Sequence, residues 1–167
     1  MGLEEQTQWD TIRNFYSESW ESIGQKLTIS NRTVTKLAFL LKRDVNPNGD
    51  VTFVIRKASD DSLIVSKVWG NANALPESET WEEVTFDTPT LINEEVRIAA
   101  EYAGTQQCVQ HFQISDVKAN ESYCEAPASG EYTERATWDC AYKYTYEDPP
   151  LAAAGGGPAS LVAAGII

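Results

Sequence analysis

The sequence predicts an all-β fold, an antiparallel β-sandwich of about eight strands with an extended C-terminal arm. Three observations predict it. Apolar residues recur at every second position through most of residues 20–147. Turn residues interrupt these runs at short intervals. No segment carries a convincing 3.6-residue apolar period, residues 7–20 alone allowing a short helical turn. A chain of 167 residues is long enough for one domain with a real core and too short for two.

The elements follow in order. Residues 1–19 are expected to form an N-terminal arm or a first edge strand. In "ESIGQKLTIS", Ile23, Leu27 and Ile29 share a face. "TVTKLAFLLKR" puts Leu37, Phe39 and Leu41 on one side and Ala38 and Leu40 on the other, a strand buried on both faces. "NPNG" at 46–49 is turn chemistry, because proline presets φ and Asn-Gly accepts positive φ. Val51, Phe53 and Ile55 align in the next strand, "SDDS" turns the chain, and "LIVSKVW" returns it. After a polar loop at 70–80, "WEEVTFDTPTLI" and "EEVRIAAEYAG" read as two further strands. "CVQHFQIS" aligns Cys108, Phe112 and Ile114. A long loop is expected over roughly 115–135. The closing strand aligns Trp138, Cys140, Tyr142, Tyr144 and Tyr146 on one face. "DPP" stops it, and residues 148–167 form a separate Ala/Gly-rich zone.

Composition narrows the function. With 13 basic and 25 acidic residues, a formal net charge of −12, the chain opposes a phosphate-tracking surface and docking on anionic lipid. Nucleic acid is therefore not an expected partner. The opening "MGLEEQTQWD" has neither a basic n-region nor an apolar h-region, so synthesis without a signal peptide is expected. Cys108, Cys124 and Cys140 are expected as buried free thiols, with a Cys124–Cys140 bridge as the alternative.

No motif supplies catalysis. His111 is the only histidine; in "VQHFQ" it is expected to face solvent from a strand, with no nucleophile motif beside it. The carboxylate pairs sit in no catalytic frame. Asp44, Asn46, Asn48 and Gly49 match the first positions of a calcium loop, but position 12 is Ile55 where a bidentate Glu is needed. A hairpin turn is the expectation there, and a looser calcium site using Asp44, Asn46, Asn48 and Asp50 the alternative. Exposed aromatic rings could stack on sugars. Of Trp9, Trp20, Trp69, Trp81 and Trp138, the in-register Trp69 and Trp138 are expected in the core. Trp81 opens a strand after a polar loop and is the candidate ligand-binding residue. Tyr142, Tyr144 and Tyr146 are expected as core and rim.

Taken in sequence, "ESIGQKLTISNRTVTKLAFLLKR", "NPNGDVTFVIRKASDDSLIVSKVW", "WEEVTFDTPTLINEEVRIAAEYAG" and "ATWDCAYKYTYED" resemble a jelly-roll β-sandwich. The class is that of carbohydrate-binding modules and of virion and surface structural proteins. The likeness spans residues 20–147. Its marks are a Gly-Gln strand start, the "W..V.F..P" and "V.I..EY.G" strands and a closing "WDCAYK". It implies a fold more than a task.

The segment "LAAAGGGPASLVAAGII" is too short and too broken by glycine and proline to be expected as a membrane span. A Pro-Pro exit, a Gly hinge and the apolar Leu161, Val162, Ile166 and Ile167 suit an assembly arm docking on another subunit. The expectation is thus a non-enzymatic structural protein, a virion subunit of the capsid-decoration or tail-associated kind. It would form a homo-oligomer or lattice in a virion or extracellular surface assembly. The alternative is a carbohydrate-binding module recognising surface glycans.

Overall fold

The computed structural model describes residues 1–128 and 130–149. Eleven strands form one antiparallel system: β1 (Gly2–Gln6), β2 (Thr11–Phe15), β3 (Ser22–Arg43), β4 (Asp50–Lys57), β5 (Leu63–Asn71), β6 (Thr80–Tyr102), β7 (Cys108–Gln113), β8 (Ser122–Ala126), β9 (Thr133–Arg135), β10 (Asp139–Cys140) and β11 (Tyr142–Glu147). A 3-10 turn at Ala72–Ala74 interrupts them. The all-β antiparallel expectation holds, and the architecture is that of a sandwich.

Two strands organise it. β3 and β6 pair along their lengths, from Ser22↔Glu101 to Leu41↔Thr80. The first half of β3 has β8 on its other side, and the second half has β11 and then β7. One layer is therefore β9-β8-β3-β6-β4-β5, and the other is β1-β11-β3-β6, with β7 paired to the last residues of β3 and β2 and β10 paired to β7. Rings meet between the layers: Phe39 with Phe53 at 5.1 Å, Phe15 with Tyr102 at 6.0 Å, and Phe112 with Tyr123 at 4.8 Å. The first layer also nears the second along β5, through the Lys67–Asp87 ion pair at 2.7 Å.

Several expectations need correction. The sequence reads 20–43 and 81–102 as two strands each; both are continuous. What looks like a turn at "SNRT" is a bulge: the register shifts between Ile29 and Arg32, and Asn31 takes φ 51°. A second shift, between Val34 and Lys36, absorbs Pro89, which cannot donate to a ladder. Residues 1–19 hold two strands, the first of them at an edge of the sheet. β1 pairs β11, and β2 pairs β7 with Phe15 in the core. The expected 115–135 loop contains β8 and β9, whose Tyr123, Cys124 and Ala126 are buried.

Other readings are confirmed. Ala38 and Leu40 are buried on the face opposite Leu37, Phe39 and Leu41. Tyr142 and Tyr144 are buried, and Tyr146, Trp69 and Trp138 pack partly buried against the core. The three cysteines are buried and free, so Cys124 and Cys140 are not bridged. The arm residues Leu161, Val162, Ile166 and Ile167 lie outside the described residues.

Candidate functional site

The Gly-Gln and "WDCAYK" marks of the sequence meet in space. An added Cβ on Gly24 would lie 1.8 Å from the Ile98 carbonyl oxygen, so the close β3–β6 approach there requires glycine. Gln25, fully buried, donates to Asp139 Oδ1 at 2.6 Å and accepts from the Cys140 amide at 2.8 Å. Asp139 Oδ2 accepts from the Val117 and Lys118 amides at 2.7 and 3.0 Å. These residues bind chain to chain across the closing strands.

A second frame surrounds Glu125, a carboxylate with no solvent exposure. Arg13 Nε lies 2.8 Å from it, Arg135 Nη2 lies 3.3 Å away, and the Tyr123 hydroxyl donates at 2.8 Å. Each guanidinium rests on an indole, Arg13 on Trp20 at 5.8 Å and Arg135 on Trp138 at 4.5 Å. The frame ties β2 to β8 and β9, and it fixes Trp20.

Beside that frame lies a hollow of ≈ 350 Å³, lined by Arg13, Asn14, Tyr16, Ser19, Trp20 and Gln107. Its wall is a tight turn: the Tyr16 amide donates to the Trp20 carbonyl at 2.7 Å, and the Ser19 amide to the Tyr16 carbonyl at 3.0 Å. The Ser17 amide reaches the Gly104 carbonyl at 3.0 Å, which pins the turn to the body. Tyr16 and Trp20 pack against the core and keep part of their surface outside. Asn14 donates to Gln107 Oε1 at 2.5 Å. That leaves the Asn14 carbonyl and the Gln107 amino group to bond a ligand. The Arg13 charge is neutralised by Glu125. The arrangement suits a small polar ligand with one apolar face.

Neither a family model nor a curated protein matches this chain.

A second cleft, of ≈ 390 Å³, opens over the outer face of β3, β4 and β6 beside Pro127, Ala128, Gly130 and Tyr132. Its groups are mostly engaged with one another. Arg56 pairs with Glu101 at 2.8 Å, and the hydroxyls of Ser22 and Tyr132 are 2.6 Å apart. Arg97 covers the Tyr132 ring at 4.9 Å.

The residues singled out from sequence fall elsewhere. Trp81 is half-buried in the other layer, and the Lys143 ammonium sits 4.4 Å from its ring centre, over the face a sugar would use. Asp44, Asn46 and Asp50 are exposed; Asn48 accepts from Asn71 Nδ2 at 3.2 Å, and its carbonyl from the Tyr102 hydroxyl at 3.3 Å. Among the described residues, no group of three or more His, Cys, Asp or Glu is placed to hold a metal ion. His111 is not solvent-facing. It is 1% exposed, because Trp9 of the N-terminal segment covers it edge-on at 4.6 Å. Its Nδ1 lies 3.0 Å from the Leu40 carbonyl, which can only accept, so Nδ1 carries the proton and Nε2 has no partner among the described residues. Burial holds its pKa below the usual value. Burial likewise pushes Cys108 up to about 12 and raises Cys124 and Cys140 further, which keeps all three as thiols at neutral pH.

Sequence reasoning named Trp20 among five tryptophans but missed Tyr16, Asn14 and Gln107. The available signal was "NFYSESW", two aromatics flanking a Ser-Glu-Ser turn. Gln107 carries no such signal, since only the fold brings it to Asn14.

Proposed function

We propose that this chain is a non-catalytic recognition module of the jelly-roll class, binding a carbohydrate in the Tyr16–Trp20 hollow. The observation that carries this reading is the half-buried pair Tyr16 and Trp20 facing the Asn14–Gln107 amides in one pinned hollow. Aromatic rings stack on the C–H face of a pyranose, and amides exchange hydrogen bonds with its hydroxyls. A rigid turn lowers the ordering cost of binding. The engagement of His111, the cysteines and the paired acids within the protein speaks for binding rather than reaction. Trp81 is a second contact in this reading, once Lys143 moves off its ring.

The test is a glycan array with wild type, Trp20→Ala and Tyr16→Ala. Retention of one glycan class by wild type, weakened at least about tenfold by either substitution, is expected, in line with the loss of one buried aromatic contact. An array on which nothing is retained, or retention indifferent to both substitutions, sinks it.

An assembly role is the second reading, favoured by β1. Among the described residues that strand carries a ladder on one side only, and Met1 and Leu3 are 88% and 55% exposed. An open edge can accept a strand from a neighbour. In this reading the chain is a subunit of a virion or surface lattice, with residues 159–167 as the donated segment. Removing residues 149–167 is expected to turn an oligomer into a monomer in light scattering. An oligomer that survives the truncation rules the arm out.

A further inference from the structure

The end of the sandwich holds a second carboxylate beside Asp139, and neither proposed function uses it. Glu121 closes the turn after β7, its amide donating to the Lys118 carbonyl at 3.2 Å. Its carboxylate accepts from the Tyr142 hydroxyl at 2.8 and 3.1 Å, and Gln25 Nε2 lies 3.4 Å away. The groups facing it come from every neighbouring element. Asp139 on β10 is acidic, Tyr142 on β11 is a neutral donor, and Gln25 on β3 is neutral. Lys118, on its own segment, has its ammonium engaged with Glu4 of β1 at 2.6 Å. Glu4 is held in turn by Arg32 of β3 at 3.3 Å, and Arg32 also donates to the Tyr144 hydroxyl at 2.9 Å. Asp139 already has three N–H donors, from Gln25, Val117 and Lys118. Among the described residues, Glu121 has no cation in hydrogen-bond contact and an anion as its neighbour.

We propose that Glu121 and Asp139 form an acid-tightened clasp. With a proton on Glu121, residues 115–121 are held to the sheet end; its ionisation sets two carboxylates side by side and loosens that segment and, through Lys118 and Glu4, the edge strand β1.

Two carboxylates in one poorly solvated site do not both ionise freely, and the one with fewer donors keeps the proton. Burial first, and then the Asp139 charge, push Glu121 up to about 7 against the outward pull of Tyr142, Lys118 and Gln25. The folded value lies above the unfolded 4.5. The stabilising effect of the proton is therefore complete below 4.5, is lost as pH rises to about 7, and changes no further above it. The loosening falls where an acidified compartment meets a neutral one, and it ends at the edge a neighbouring strand would use.

Two measurements on the full chain test the clasp. A carbon-13 NMR titration of the Glu121 side-chain carboxyl is expected to show a midpoint near 7; a midpoint near the ordinary carboxylate value overturns it. Hydrogen exchange at the Val117 and Lys118 amides, corrected for intrinsic rates, is compared at pH 5 and pH 7.5. Protection in the wild type is expected to fall by about tenfold or more, since each pH unit in the window is worth up to about tenfold. In Glu121→Gln it is expected to stay level. The same fall in both proteins, or none in either, overturns the clasp. The titration uses wild type alone and stands even if the variant folds poorly.

Discussion

Two carboxylates lie four residues apart, half-buried Glu121 just before β8 and fully buried Glu125 within it, and the protein treats them in opposite ways. Glu125, at the hollow, is fully enclosed between two arginines and a tyrosine hydroxyl. Glu121, at the other end of the strand, has one tyrosine donor and an acidic neighbour. A charge removed from water must be met by a counter-charge or by a proton. The Glu125 end uses counter-charge, which makes it rigid and fit to present Trp20. The Glu121 end uses a proton, which makes it responsive to pH. Burial alone does not say which device a carboxylate has; its neighbours do.

The largest effect should come from breaking the first end. Glu125→Ala leaves Arg13 and Arg135 without their shared partner, and a loss of about 3 kcal/mol is expected in urea unfolding. That is the low end of the range for a broken buried pair, because both arginines reach solvent. A loss under about 1 kcal/mol would mean that solvent, rather than Glu125, neutralises them. Gln25→Ala comes next, since it strips a donor from Asp139 and an acceptor from the Cys140 amide, both buried. About 2 kcal/mol is expected by the same measurement. If it proved neutral, the meeting of the Gly-Gln and "WDCAYK" marks would have no bearing on stability.

At the second end the sign reverses. Glu121→Gln mimics the protonated form and should stabilise at pH 7.5 by about 1 kcal/mol, a rise of about 3 °C in Tm. The benefit should vanish near pH 4.5, where the wild type is itself protonated. A benefit that persists at low pH would place it in packing rather than in charge. Lys143→Ala should be the smallest change. It lies on the surface, paired with Glu5 at 3.2 Å, and should move stability by less than about 0.5 kcal/mol. It bares the Trp81 ring, so tighter glycan retention than wild type would make Trp81 part of the binding surface.

Most of the fold was legible because period-two alternation reports which face of a strand is wet. Leu37, Phe39 and Leu41 announce their strand, and the Tyr142–Tyr146 ladder announces its own. The alternation does not distinguish a turn from a bulge. A bulge also breaks the period and also favours asparagine, so Asn31 reads as a strand end although the chain runs on. β8 hides for another reason. Glu125 occupies a core position that sequence pattern assigns to solvent, and only Arg13 and Arg135, 112 and 10 residues away, make that position tenable. His111 misleads in the same way: its strand position is outward, and Trp9, contributed by the N-terminal segment, covers it.

The candidate site was legible in part only. Its aromatics are conspicuous in "NFYSESW", whereas Gln107 and the pinning contact from Gly104 arrive from the β6–β7 connection. By itself, then, the sequence determined the class of fold, the acidic composition and the core rows, because these depend on short-range alternation; the hairpin expected at 46–49 is instead a connection between β3 and β4, which lie on either side of β6. Tertiary structure alone decided which carboxylates are buried, which of them has a cation, what covers His111 and Trp81, and where Asn14 meets Gln107. Those outcomes depend on residues far apart in the chain, and the energy of a buried charge is set by what folding brings within a few ångströms of it.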